Sequence, residues 1–121
     1  MTKRILVVDD QDDNQKIMRD LLGTADYEMM GAENGEQAVA MVAQRRPDLI
    51  LMDIQLPILD GYEATRRIKA DPALRSIPII AVSSYALSGD EEKARVAGCN
   101  DFVSKPFSPR QLLAKVRQYL P

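Results

Sequence analysis

Five short aliphatic runs alternate with amphipathic segments along the whole chain. The runs are Ile5-Leu6-Val7-Val8, a weaker one from Tyr27 to Ala32, Leu49-Ile50-Leu51-Met52, Ile79-Ile80-Ala81-Val82, and a short Phe102-Val103. All but the second, which contains Glu28, are apolar throughout rather than at every second residue, which marks strands buried on both faces. The segments between them read as helices. Asp12 or Asp13 is placed to cap the first, whose Ile17, Met18, Leu21 and Leu22 share one face, and Gly23 lies near its end. Asn34-Gly35 turns the chain into a second helix with Ala38, Val39 and Val42 inward, and Pro47 stops it. A loop carrying Pro57 and Gly61 leads to a third, around Tyr62 to Ala70. A fourth spans about Asp90 to Ala97 and closes at Gly98. Ser108 caps the last, with Pro109 in its first position and Leu112, Leu113, Val116 and Leu120 as its buried stripe.

Five β-then-α units predict an α/β fold, an open parallel sheet with helices on both faces and right-handed crossovers. The flavodoxin-like strand order 2-1-3-4-5 is one common solution, and spacing alone does not choose it. The 121 residues fit a single domain over 1–121, with no repeat or linker inside it. A net charge of -2 gives no general attraction to nucleic acid or to an anionic membrane. No apolar stretch approaches the roughly 20 residues of a membrane span, and the N-terminus does not read as a signal peptide. Cys99 is the only cysteine, so no internal disulfide can form, which suits a reducing cytoplasm. Histidine is absent, which excludes histidine-based triads and zinc sites.

Asp9-Asp10, Asp53, Ser83 and Lys105 each stand at the carboxyl end of an aliphatic run. In a parallel sheet those ends share one edge, where ligands of open α/β sheets bind. Three carboxylates in one crevice repel unless a cation joins them. A hard divalent ion with oxygen ligands, such as Mg2+, meets that need. The Lys105 ammonium and the Ser83 hydroxyl suit a phosphoryl group, whose transfer depends on positioning and electrostatics. One carboxylate must then be the nucleophile, and Asp53, at the end of the central run, is the natural choice.

The motifs Val-Val-Asp-Asp, Leu-Met-Asp-Ile-Gln-Leu-Pro followed by Asp60-Gly61, Ile-Ile-Ala-Val-Ser-Ser and Ser-Lys-Pro-Phe occur in order over nearly the whole chain. Together they resemble the response-regulator receiver domains of two-component signalling, closest to stand-alone, chemotaxis-regulator-like members and to receivers of hybrid kinases. The resemblance implies the 2-1-3-4-5 sheet and Asp53 as phospho-acceptor. It implies Asp10 as a direct magnesium ligand, the Gln55 carbonyl as another, and Asp9 acting through water. Ile54 and Ser84 would offer backbone N–H groups to the phosphoryl group. Ser83 and Phe102 would be the switch residues, Lys105 would pair with the phosphoryl group, and the bond before Pro106 would be cis. The implied donor is a phosphohistidine of a sensor histidine kinase or histidine phosphotransfer protein. The implied output is a protein target on the face of helix 4, strand 5 and helix 5. The protein would be cytoplasmic, and a monomer or a weak phosphorylation-dependent dimer.

Other positions have plainer readings. Phe102 also suits core packing and lacks the hydroxyl of the family's frequent tyrosine, so any switching by it is steric. Asp90-Glu91-Glu92 complements a helix dipole. Met29-Met30 reads as packing, Arg66-Arg67 as a solvated helix face, and Cys99 as a small buried residue. Ser84 stands where the family usually has alanine, and Tyr85 after it has the bulk to shield an acyl phosphate from water. Among competing functions, a magnesium-dependent phosphatase needs an acid two residues after its nucleophile, where this chain has Gln55. A passive interaction module would not need the intact acid, serine and lysine set. A nucleotide-binding enzyme would show a Gly-rich loop after the first strand.

Overall fold

The computed structural model describes residues 2–83 and 89–121. Ser84 and Tyr85 fall outside these, as does the side chain of Asp90. The chain runs β1 (Arg4–Val8), α1 (Asp12–Gly23), β2 (Glu28–Ala32), α2 (Gly35–Arg45), β3 (Leu49–Asp53), α3 (Gly61–Ala70), β4 (Ile79–Ser83), α4 (Asp90–Ala97), β5 (Asp101–Ser104) and α5 (Pro109–Tyr119). The strands form one parallel sheet in the order β2-β1-β3-β4-β5.

Strand alternation splits the apolar residues into two cores. Leu6, Val8, Ile50, Met52, Ile79 and Ala81 pack with Ala38, Val42, Ala64, Ile68 and Ala94, on the side covered by α2, α3 and α4. Ile5, Val7, Leu49, Leu51, Ile80 and Val82 pack with Met18, Leu22, Leu112 and Val116, under α1 and α5. Each fully buried Leu or Ile of these layers contributes about 1.5–3 kcal/mol relative to exposure, which explains why runs without polar alternation make these strands. The methionine pair divides between the two sides: Met30 joins the first core and Met29 leans on the second.

Helix starts differ in part from expectation. Ser108 and Gln111 form a full capping box at α5, and Asn34 caps α2. At α1 the N-cap is Gln11 with no side-chain cap bond, and Asp12 and Asp13 lie inside the first turn. The acid that serves this turn is Asp9, whose Oδ1 accepts from the Gln11 N–H at 2.9 Å. The buried face of α1 is also turned from the expected one: Gln15, Met18 and Leu22 are inside, while Ile17 is 59% exposed.

Two features shape the loop after β3. A Cβ on Gly61 would lie 2.3 Å from the carbonyl oxygen of Asp53, so only glycine lets α3 start this close to the strand end. Beyond Pro57, the Leu59 N–H donates to the Pro57 carbonyl at 2.7 Å, and Ile58 sits at the centre of this γ-turn with φ 70. A β-branched residue is strained there, and at 77% exposure Ile58 gains little from burial in return. Ile58→Gly is therefore expected to raise stability by about 1 kcal/mol. Urea unfolding reads this directly, and a lower midpoint would contradict it.

Candidate functional site

The sheet register brings the chemistry-bearing residues to one edge. Asp53 ends β3 beside Val82, and Ser83 ends β4 beside Ser104. Asp9 follows β1 and prolongs its ladder, its N–H donating to the Ala32 carbonyl at 3.0 Å. Lys105 does the same after β5, donating from its backbone to the Ser83 carbonyl at 2.7 Å. Within β1 and β3, odd-numbered residues face α1 and α5, so Asp53 projects to that side of the edge.

Lys105 Nζ lies 2.9 Å from Asp9 Oδ2 and 3.1 Å from Asp53 Oδ2. Asp9 is fully buried and Asp53 is 5% exposed, so both ion pairs are shielded from water. Asp10 is exposed, and one carboxylate oxygen each from Asp9, Asp10 and Asp53 lies within 4.8 Å of the others. The Gln55 N–H donates to Asp53 Oδ1 at 3.0 Å. The expected side chains at 9, 10, 53 and 105 therefore meet, from segments distant in the chain. Ser83 is buried at the same edge.

The electrostatics follow from these contacts. Burial raises the Asp53 carboxyl above the usual carboxylate range, the charge of Asp9 adds to the rise, and the Gln55 N–H and Lys105 oppose it. Burial alone would lower the Lys105 ammonium. The hydrogen bond to Asp9 and the charges of Asp53 and Asp9 outweigh it, so its pKa rises. Lys105 therefore stays charged, and the uncompensated negative charge of three acids against one ammonium falls on Asp53. An all-oxygen donor set with surplus negative charge fits a hard divalent cation of the magnesium type.

The chain matches the family model described as response regulator receiver domain over residues 5–117. This chain belongs to the receiver-domain family. Among curated relatives, the polar-differentiation response regulator DivK of Brucella anthropi is 43% identical, over 99% of this chain and 98% of its own length. Among solved structures, the receiver domain of sensor histidine kinase PA1611 from Pseudomonas aeruginosa is 39% identical with TM-score 0.92, over 99% of this chain and 98% of that one. That receiver was solved with a magnesium ion coordinated in its active-site cleft. The receiver domain of the Saccharomyces cerevisiae response regulator Ssk1, solved with the histidine phosphotransfer protein Ypd1, is 29% identical with TM-score 0.90, over 98% of this chain and 88% of that one.

For a receiver, the remaining expectations divide. The Lys105-Pro106 peptide is cis. Phe102, opposite Ala81, is half-buried and packs against the core that contains Ile50 and Met52. The Ile54 N–H donates to the Val82 carbonyl at 3.1 Å in this structure and prolongs the sheet ladder. The Ser84 N–H lies outside the described residues. Sequence reasoning missed Gln15, a buried polar residue that the apolar periodicity of α1 does not mark. It also missed the Gln55 N–H, a backbone donor with no signature of its own.

Proposed function

We propose that this receiver is a phosphorylation switch in which Asp53 accepts a phosphoryl group from a phosphohistidine of a sensor kinase or phosphotransfer protein. The observation that carries this reading is the single ammonium of Lys105 within 2.9 and 3.1 Å of two acids from different strands. An Asp53 oxygen forms the new bond to phosphorus as the bond to the histidine nitrogen breaks, and that nitrogen keeps the electron pair. Lys105 remains charged and balances the transferred anion. Asp10, Asp53 and the Gln55 carbonyl would hold magnesium, with Asp9 acting through water. Bound there, the ion supplies positive charge for the phosphoryl oxygens. The fit of the acidic cluster and the magnesium-bound receiver of similar sequence both support this assignment.

The phosphoryl group would act as a ligand that shifts a two-state population, drawing in Ser83 and letting Phe102 repack, with output through the face of α4, β5 and α5. Slow hydrolysis of the acyl phosphate in place would reset the switch, without turnover of external substrates. Among the described residues no helix is long and apolar enough to cross a membrane. A cytoplasmic setting agrees with the buried free thiol of Cys99.

Incubation with acetyl phosphate and magnesium should add one phosphoryl group by intact-mass measurement, and a chelator should prevent it. An unchanged mass sinks the proposal. Repeated turnover of a free phosphomonoester would favour a phosphatase instead.

A further inference from the structure

Helix α1 buries an amide where its neighbour Ile17 is left exposed. Gln15 is 8% exposed, and its Nε2 donates to the Asp9 carbonyl at 3.0 Å and to the Ala32 carbonyl at 2.7 Å. Both partners are carbonyl acceptors, which fixes the amide orientation. A buried amide contributes less stability than an apolar side chain of its size unless those bonds are needed. One bond takes the Asp9 carbonyl, where β1 has ended and the acids begin, and the other takes the Ala32 carbonyl at the end of β2, which also accepts from the Asp9 N–H. The four polar atoms of Asp9 are then all engaged: its N–H with Ala32, its carbonyl with Gln15, Oδ1 with the Gln11 N–H, and Oδ2 with Lys105.

We propose that Gln15 is a positioning residue for the acid site. It pins the Asp9 carbonyl to α1 and β2, and so sets where the Asp9 and Asp10 carboxylates stand toward a divalent cation. This rests on the magnesium reading above. Gly31 on β2 provides the room for it. A Cβ there would lie 2.4 Å from Gln15 Oε1, which is the movable end of a side chain rather than backbone. Gly31→Ala therefore displaces the Gln15 amide at small cost to the fold, while leaving its chemistry in place.

Three variants test the idea: Gln15→Met, which keeps size and loses the donors, Gly31→Ala, and the double variant. Each is titrated with Mg2+ by calorimetry and unfolded in urea without metal. Both single variants are expected to weaken magnesium binding by about tenfold. The double variant should be no weaker than either, because both act on one bond pair. In metal-free protein the Asp9 amide hydrogen should exchange faster in both. A purely structural role would lower the urea midpoint and leave the magnesium constant unchanged, and that result overturns the proposal. Should Gln15→Met fail to fold, Gly31→Ala alone decides by the same constant. Wild-type protein without magnesium affinity removes the reading of the site itself, and this inference falls with it.

Discussion

Lys105→Met is expected to cost about 3–5 kcal/mol of folding stability in metal-free protein near neutral pH. Methionine keeps the apolar stem and the length of the side chain, so packing is nearly preserved. What disappears is the ammonium that faces Asp9 and Asp53 at 2.9 and 3.1 Å. Asp9 is fully buried, and two uncompensated carboxylates would then stand side by side. Removing one partner of a buried ion pair costs more than the pair contributes, because the remaining charge stays desolvated. The pH dependence has a definite sign. Lys105 has a folded pKa above its ordinary 10.5. Its contribution is fully present below that ordinary value and is lost as pH rises through the higher folded one. Wild-type protein should therefore weaken at alkaline pH through a transition that the variant lacks. At acid pH the deficit of the variant should shrink as Asp53, whose pKa is raised, gains its proton. Magnesium should recover part of the loss by binding the folded state. Urea midpoints across pH, with and without magnesium, read all of this. A midpoint equal to wild type would mean that the Lys105 contacts carry no net stability.

The aliphatic runs made the fold legible because a strand covered on both faces has no alternative but continuous Ile, Leu, Val and Met. The helix cap Ser108 was legible for a similar reason, since it offers a side-chain acceptor just before an apolar periodic segment, whereas Asn34 read only as a turn into α2 and proves to be its cap. Strand order was not set by spacing, because any order keeps the same runs buried. It came from the motif resemblance. The site was legible at Asp9, Asp10, Asp53 and Lys105 because strand ends of one parallel sheet must share an edge. The face of α1 was misjudged at Ile17 because apolar periodicity counts only side chains that want burial. Gln15 wins the inward position through two carbonyls that belong to β1 and β2 ends, and no helical pattern within α1 carries that information. The ladder partner of the Ile54 N–H was not legible for a related reason. The β3 ladder continues past the last strand residue, and the Val82 carbonyl takes that donor.

Asp53→Asn is expected to abolish phosphoryl acceptance and, in the same molecule, to raise metal-free stability by about 1 kcal/mol at neutral pH. The first effect follows from the loss of the only nucleophilic carboxylate placed at the end of the central strand. Intact-mass measurement after acetyl phosphate and magnesium should show no added group. A variant that still gains one would place the acceptor elsewhere, with Asp9 and Asp10, whose carboxylate oxygens lie within 4.8 Å of position 53, the first candidates. The second effect follows from the surplus charge. Burial and the charge of Asp9 raise the Asp53 pKa above its ordinary 3.8. Between that value and the higher folded one, the folded protein binds more protons than the unfolded chain, so stability falls as pH rises across this window. The full cost persists above the window and is absent below it. The gain from asparagine should therefore be present at neutral pH and vanish in acid below about 3.8. Asparagine keeps an oxygen for the Gln55 N–H and Lys105 keeps its bond to Asp9, but the new Nδ2 replaces an acceptor of Lys105, which holds the expected gain to about 1 kcal/mol. A loss of stability at neutral pH would mean that the ionised Asp53 is held comfortably without metal. Surplus negative charge would then not be what prepares this edge for a cation and a phosphoryl group. If the gain appears, the carboxylate is kept at a cost to the fold, and only its chemistry explains its presence there.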